Sequence, residues 1–217
     1  MPPSSVRKPR LSVVRSSPWG EVADAALVRA AIEGAHGAPG AVWDRHSVRV
    51  RAVLRRVLGP SVDVEDLLQE TFFQLFKDLA RLRELDNLQG FAVGIAVRVA
   101  RSELRRRRLR RWLMLTDHGA PPEVADVGVD ADAREAVLRL YALLDRIDDR
   151  QRTIFVLRHI EGLELTEVAS ALDLSLATTK RHLAKVTRRV RQGAIKDPLL
   201  AAYVDRVTPL PAEVADA

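Results

Sequence analysis

The sequence predicts an all-α protein of two small helical domains joined by a flexible acidic linker, with a helix-turn-helix in the C-terminal domain. Three observations carry that prediction. Apolar residues recur at three- and four-residue steps through most of the chain, with few strand-type alternations. A stretch without Lys or Arg, from Leu113 to Ala133, parts two basic helical regions. The later region sets a short apolar-faced helix against a longer basic one across a tight turn. The 217 residues suit one large domain or two small ones, and a hydrophobic content of 47% supplies their cores.

Residues 1–18 are rich in Pro, Ser and Arg, have little to bury, and read as a disordered arm. The first domain takes in residues 19–112. From Glu21 to Glu33 the pattern EVADAALVRAAIE predicts a helix that Gly34 ends. The following GAHGAPG reads as a loop, without the Lys-Ser/Thr of a phosphate loop. A second helix runs through VWDRHSVRVRAVLRRVL and stops at Gly59-Pro60. The third, with Asp63 as N-cap, carries Val64, Leu67, Leu68, Thr71, Phe72, Leu75 and Leu79 on its core stripe. Its other face holds Asp66, Gln69, Glu70, Phe73, Gln74 and Lys77, and a Phe among charged residues is an anchor for a protein partner. A fourth helix begins near Phe91 and reaches about Trp112, burying Val93, Ala96, Val97, Ala100 and Leu104. Eight arginines stand between Arg98 and Arg111 against the single acid Glu103. Arg98, Arg101, Arg105 and Arg108 line up beside the apolar stripe. Crowded like charges destabilise a free helix, so a polyanion is their natural partner.

The acidic linker, 113–133, carries Asp117, Glu123, Asp126, Asp130 and Asp132, with Pro121-Pro122 barring a helix. The second domain is 134–195. IDDRQRTIFVLRHIEGL reads as a helix with Asp148 as N-cap, Gln151 in capping-box position and Gly162 as its stop. Ile154, Phe155 and Leu157 would pack beneath the helix-turn-helix that follows. There Thr166 caps a short helix with Val168, Ala169 and Leu172 facing inward. Asp173-Leu174-Ser175 makes the turn, with Leu174 as its apolar plug, and Ser175 caps the longer helix. On that helix Leu176, Thr179, Leu183, Val186 and Val190 share one face, and Thr178, Arg181, His182, Lys185, Arg188 and Arg189 another. A one-sided basic helix after a tight turn fits the DNA major groove, with Thr178 and Arg181 near enough to its start to reach base edges. The tail, 196–217, has a small amphipathic stretch from Leu199 to Val207.

Composition excludes several function classes. The formal net charge of +6 and pI near 10.2 suit a polyanionic partner. With no cysteine, disulfides, thiolate metal sites and cysteine nucleophiles are ruled out. The five histidines are scattered, and the carboxylates Asp63, Glu65, Asp66 and Glu70 have no convergent histidine, so no metal, cofactor or catalytic residue is expected. No apolar run approaches the ~20 residues of a membrane span and no secretory signal opens the chain, so the expected location is the cytoplasm, without membrane insertion.

VDVEDLLQETFFQLFKDLARL resembles the core-polymerase-binding helix of extracytoplasmic-function sigma factors, bacterial RNA polymerase initiation factors of the sigma-70 superfamily. FAVGIAVRVARSELRRRRLR is similar to the family's promoter-reading helix, and the stretch from Leu143 to Val190 to its C-terminal domain. The resemblance covers roughly residues 21 to 192, in the family's order and spacing. It implies that Asp66, Leu67, Gln69, Glu70 and Phe73 dock on core RNA polymerase, through its β′ and β subunits. It implies that Asn87, Leu88, Gln89, Phe91, Arg98, Arg101, Arg105 and Arg108 read and melt the −10 element. It assigns the −35 element to Ser175, Thr178, Thr179, Lys180, Arg181, His182, Lys185 and Arg188, and admits an anti-sigma factor as a further partner. The chain departs from the family where Phe91 replaces Trp, Arg98 replaces Asn and Ser102 replaces Asp. It departs again where Thr179 replaces Val, Arg181-His182 a Ser-Arg pair, and Asp148-Asp149 a Pro pair. These changes bear on promoter sequence. The rival readings are a stand-alone helix-turn-helix regulator that works without polymerase, and a nuclease, against which the lack of a carboxylate–histidine cluster argues.

Overall fold

A computed structural model of the chain describes Trp19 and residues 22–82, 84–113 and 131–203. Among the described residues all regular structure is helical. The N-terminal half holds α1 (Asp24–Ile32), α2 (Ala38–Leu58), α3 (Glu65–Asp78) and α4 (Leu88–Trp112), with short 3₁₀ turns between α3 and α4. The C-terminal half holds α5 (Ala131–Leu144), α6 (Asp149–Phe155), α7 (Leu165–Ala171), α8 (Leu176–Ala194) and α9 (Pro198–Ala201). The arm and residues 114–130 of the expected linker lie outside the described residues, and the linker's last three residues are already helical in α5.

Local chemistry sets the helix ends. α2 starts at Ala38, four residues before the expected Val42, and takes in part of the predicted loop. Gly37 turns the chain at φ +81°, and Pro39 sits in the first turn, where a missing amide costs nothing. Asp63 caps α3 from one residue further out than expected, accepting the Glu65 amide at 3.0 Å. α4 begins three residues early because the Asn87 side chain accepts the Gly90 amide at 3.1 Å. A Cβ on residue 90 would lie 2.2 Å from that oxygen, so any other residue there makes the Asn87 side chain shift. Asp148 accepts from the amides of Arg150 and Gln151 at the start of α6, as predicted. Gln151 does not close the capping box; its buried side chain accepts from Arg189 at 3.3 Å.

α4 explains how the halves meet. Its predicted stripe is buried, but so are Ala92, Ile95 and Val99 on other faces. Burial on more than one face marks a helix packed from several sides, and α4 packs against α2, α3, α6 and α7. One continuous core therefore runs from Leu54, Leu68 and Ile95 to Leu144, Phe155, Leu157 and Val168. The first residues of the tail also pack: Leu200 of α9 is buried with Ala136 and Ala194.

Candidate nucleic-acid interface

The helix-turn-helix is α7 and α8. The N-cap of α7 is Glu164, not the expected Thr166: the Glu164 amide donates to the Glu167 carboxylate at 2.7 Å, and the Glu164 side chain receives the Glu167 amide in return. Asp173 turns the chain at φ +54°, and Ser175 caps α8 by accepting the Thr178 amide at 3.2 Å. Leu183, Val186 and Val190 are buried, which holds Lys180, Arg181, Lys185 and Arg188 outward. Thr178 is half-buried beside Ser175, whose hydroxyl donates to its Oγ1 at 2.9 Å. Thr179 has to be withdrawn as a DNA contact, because it is 0% exposed and its hydroxyl is used on the Ser175 carbonyl at 3.0 Å. His182 is half-buried, and burial together with Arg150 and Arg181 lowers its pKa, which favours a neutral ring over a phosphate-binding cation.

Of the expected −10 residues, Asn87, Gln89, Arg98, Arg105 and Arg108 are exposed, and Phe91 and Arg101 are half-buried. Leu88 is a correction: it is 0% exposed in the core and cannot touch DNA. Arg98, Arg101, Arg105 and Arg108 fall at three- and four-residue steps, with Phe91 seven residues before Arg98, on the side of α4 that meets α6 and α7. The Arg108 guanidinium donates to the Ile147 carbonyl at 2.8 Å and pairs with Asp149 at 2.9 Å. Arg101 has its Nε buried without a hydrogen-bond partner, and burial with nearby Arg150 and Arg105 lowers its pKa. The rest of the arginine run is partly neutralised, since Arg106, Arg107 and Arg110 converge on the buried Glu103 at 3.3, 2.8 and 2.9 Å.

On α3, Asp66, Gln69 and Glu70 are exposed around Phe73, a phenyl ring 67% exposed, and Leu67 is half-buried at the edge of that face. Glu70 accepts from Gln74 at 2.7 Å, one turn along the same helix. An apolar ring set among acids and amides is suited to a protein partner with basic and apolar groups.

Sequence reasoning missed the polar seam between the halves. Arg152, 2% exposed, donates to the Val57 and Leu58 carbonyls at 3.0 and 2.8 Å and pairs with Asp145. The Tyr141 hydroxyl donates to the Arg56 carbonyl at 2.6 Å, and its ring lies under the Arg152 guanidinium at 5.6 Å. Burial pushes the Tyr141 pKa up to about 12, against the pull of Arg152 and Arg56, so the phenol stays a donor. The C-terminal carbonyls of α2, which have no partner within the helix, are thus capped from the other half. Glu161, its side chain fully buried, pairs with both Arg49 and Arg56.

A helix-turn-helix with an outward basic helix, joined through a shared core to a four-helix unit bearing an arginine-rich helix and an exposed phenylalanine, defines a DNA-reading protein of two helical domains. Comparison narrows the class. The family model for Sigma-70 region 2 matches residues 42–110 and that for Sigma-70 region 4 matches residues 137–189. The chain belongs to the extracytoplasmic-function branch of the sigma-70 family and is an RNA polymerase sigma factor. It is similar to the ferric citrate uptake sigma factor FecI of Escherichia coli, 26% identical over 66% of this chain and 83% of that one. It is also similar to the RNA polymerase sigma factor CnrH of Cupriavidus metallidurans, 27% identical over 82% of this chain and 96% of that one. With the probable sigma factor SigI of Mycobacterium tuberculosis it shares 27% identity, and that match spans 58% of the longer relative. Among solved structures, CnrH in complex with the cytosolic domain of CnrY has the same fold, with a TM-score of 0.57 at 22% identity, over 80% of this chain and 98% of that one.

Proposed function

We propose that this sigma factor docks on the core of bacterial RNA polymerase through the Asp66–Phe73 face of α3, via the β′ and β subunits. In the same reading, Asn87, Gln89, Phe91, Arg98, Arg101, Arg105 and Arg108 of the α4 region capture and help melt the −10 element. Ser175, Thr178, Lys180, Arg181, His182, Lys185 and Arg188 read the −35 element. The observation that carries most weight is the outward face of α8, where four cations stand over a fully packed helix-turn-helix. The domain plan we favour keeps a first unit of residues 19–112, a linker to residue 133 and a second unit to residue 195. The protein does no chemistry of its own and works in the cytoplasm. Among the described residues no cluster of three or more His, Cys, Asp or Glu side chains could hold a metal ion, and no described helix is long and apolar enough to cross a membrane. An anti-sigma factor is a further partner in this proposal; the relative CnrH was solved with the cytosolic domain of CnrY.

Run-off transcription tests the reading, with purified core polymerase on a genomic fragment library in the presence and absence of the protein. New discrete transcripts are expected. The Glu70→Ala/Phe73→Ala double variant should lose about tenfold or more in core association, the scale of a truncated interface anchor, at unchanged helical circular dichroism. Transcripts no different from core alone would favour the stand-alone regulator.

A further inference from the structure

We infer that α9 is a clasp that fixes where the linker joins the second unit, and so limits how far apart the −10 and −35 elements of a promoter can lie. The inference rests on the assignment of α4 to the −10 element and of α8 to the −35 element made above. α9 stands beyond the residues matched by the region 4 model, which end at 189. Its own contacts hold it in place. Asp197 accepts the amides of Leu199 and Leu200 at 3.0 and 3.3 Å, which starts the turn. The same carboxylate takes the Arg139 guanidinium of α5 on both oxygens, at 3.1 and 3.2 Å. Leu200 is 7% exposed, buried with Ala136 of α5 and Ala194 of α8. Of these contacts the apolar one carries the weight, because the Arg139 side chain is 44% exposed and an ion pair so placed contributes little.

α5 is held differently at its two ends. Its last turn is fixed in the main core by Leu144, 0% exposed, and by the hydrogen bond of the Tyr141 hydroxyl. From Ala131 to Arg139 only Ala136 is buried, and one methyl group holds little by itself. The small core it shares with Leu200 is therefore the main apolar support of the first two turns of α5. Those turns begin where the linker ends. As a helix, residues 131–139 advance about 14 Å, whereas the same residues released as extended chain reach up to about 30 Å. The difference, about 16 Å, matches roughly five base-pair steps at ~3.4 Å each. With α9 seated, the tether between α4 and the fixed part of the second unit is limited to residues 114–130. With α9 undone it lengthens, and longer spacers come within reach. Effective concentration vanishes when a linker cannot span two sites and recovers once it can.

The test uses the full-length protein throughout. Leu200→Ala with Asp197→Ala opens the clasp, and Leu200→Met, which keeps the volume, is the conservative control. Hydrogen exchange of the free protein reads the seating of α5. Amides 135–139 should exchange about tenfold faster or more in the double variant, while those of 183–190 in α8 keep their protection. Run-off transcription with core polymerase then reads the consequence, on one active promoter whose spacer is varied from three base pairs shorter to three longer. At the longest spacer the unaltered protein and Leu200→Met should lose about tenfold or more in product, and the double variant about threefold or less. On the shortened spacers all three should behave alike. Inserting about five Gly/Ser residues after Asp130, with α9 intact, should reproduce the shift toward longer spacers. Unchanged exchange at 135–139 overturns the inference, as does an insertion that leaves the spacer profile unmoved. A double variant whose output falls equally on every spacer also overturns it, because α9 would then support the fold alone. An unaltered protein that gives no transcripts on any fragment overturns instead the promoter reading on which the inference rests.

Discussion

Burying a guanidinium costs several kcal/mol unless its donors find acceptors, and Arg152 meets that condition with two carbonyls and a carboxylate. Replacing it with Ala leaves those acceptors in place without the donor, so Arg152→Ala should destabilise the chain by about 3 kcal/mol or more. Arg152→Lys should recover only part, because one ammonium cannot reproduce the planar fork; urea midpoints at constant slope measure both. Nothing in RQRTIFVLRH marks this arginine as buried, since charged residues seldom are and its acceptors lie 94 and 95 residues away in the chain. The imidazoles of buried His46 and half-buried His159 make a second residue-scale prediction. Burial lowers the pKa of His46 and outweighs Asp24, whose carboxylate lies 3.8 Å off and is already bound by Arg45 at 2.7 Å. Burial and Arg158 lower that of His159, which sits against the Phe155 ring. A lowered histidine pKa means that the unfolded chain takes up the proton first. Stability is therefore fully present above the ordinary value of 6.5 and is lost as pH falls through it toward the folded values. The urea midpoint should drop between about pH 7.5 and pH 5.5, and His46→Gln with His159→Gln should flatten that slope; a midpoint independent of pH in the unaltered protein would refute the assignment.

At the scale of the element, α8 separates reading from holding. Thr178 and Arg181 stand within about a turn and a half of the Ser175 cap, the part of a recognition helix that meets base edges, while Lys185 and Arg188 lie toward the flanking phosphates. Arg181→Ala should cost about 1–3 kcal/mol on the cognate site and reorder −35 preference in a holoenzyme promoter-library assay. Arg188→Ala should weaken all promoters alike and lower the salt slope by about one unit. The reverse pattern would mean that the helix sits in the groove in another register. How much of this was legible in the sequence differs from one end of an element to the other. Ser175, Asp148 and Gly34 announce helix ends because short acceptor side chains and glycine have few other uses there. Glu164 is a poor cap by type, and it wins over Thr166 because Glu167 stands three residues on to reciprocate. Thr179 is ambiguous by chemistry: its hydroxyl suits DNA, but the spacing that puts it on the face of Leu183 and Val186 also buries it. Leu88 went astray through its neighbours, as an apolar residue in a polar stretch from which Asn87 and Gln89 do project.

For the molecule as a whole, the packing of the two halves was the part least visible, although one trace of it stands in the sequence. FAVGIAV is apolar on nearly every face, and Ala92, Ile95 and Val99, off the predicted stripe, are buried with it. What pattern cannot supply is the partner, because contacts between α4 and α7 join segments about 75 residues apart (α-helical faces carry no register that far). The shared core has a thermodynamic consequence. Two domains tethered by a linker unfold independently, each at its own temperature, whereas halves that share buried apolar surface and the Arg152 seam lose both together. Calorimetry of the full-length protein should therefore show a single transition whose van't Hoff and calorimetric enthalpies agree. Arg152→Ala should split or broaden it, since the N-terminal half retains Leu54, Leu68, Phe72 and Leu75 as a core of its own. Raising salt should act in the same direction but weakly, because the ion pairs of Glu161 are sheltered from solvent and screening reaches mainly exposed charge. Two resolved transitions in the unaltered protein would mean that the halves part freely in solution, and that the shared core and the Arg152 seam add little to either.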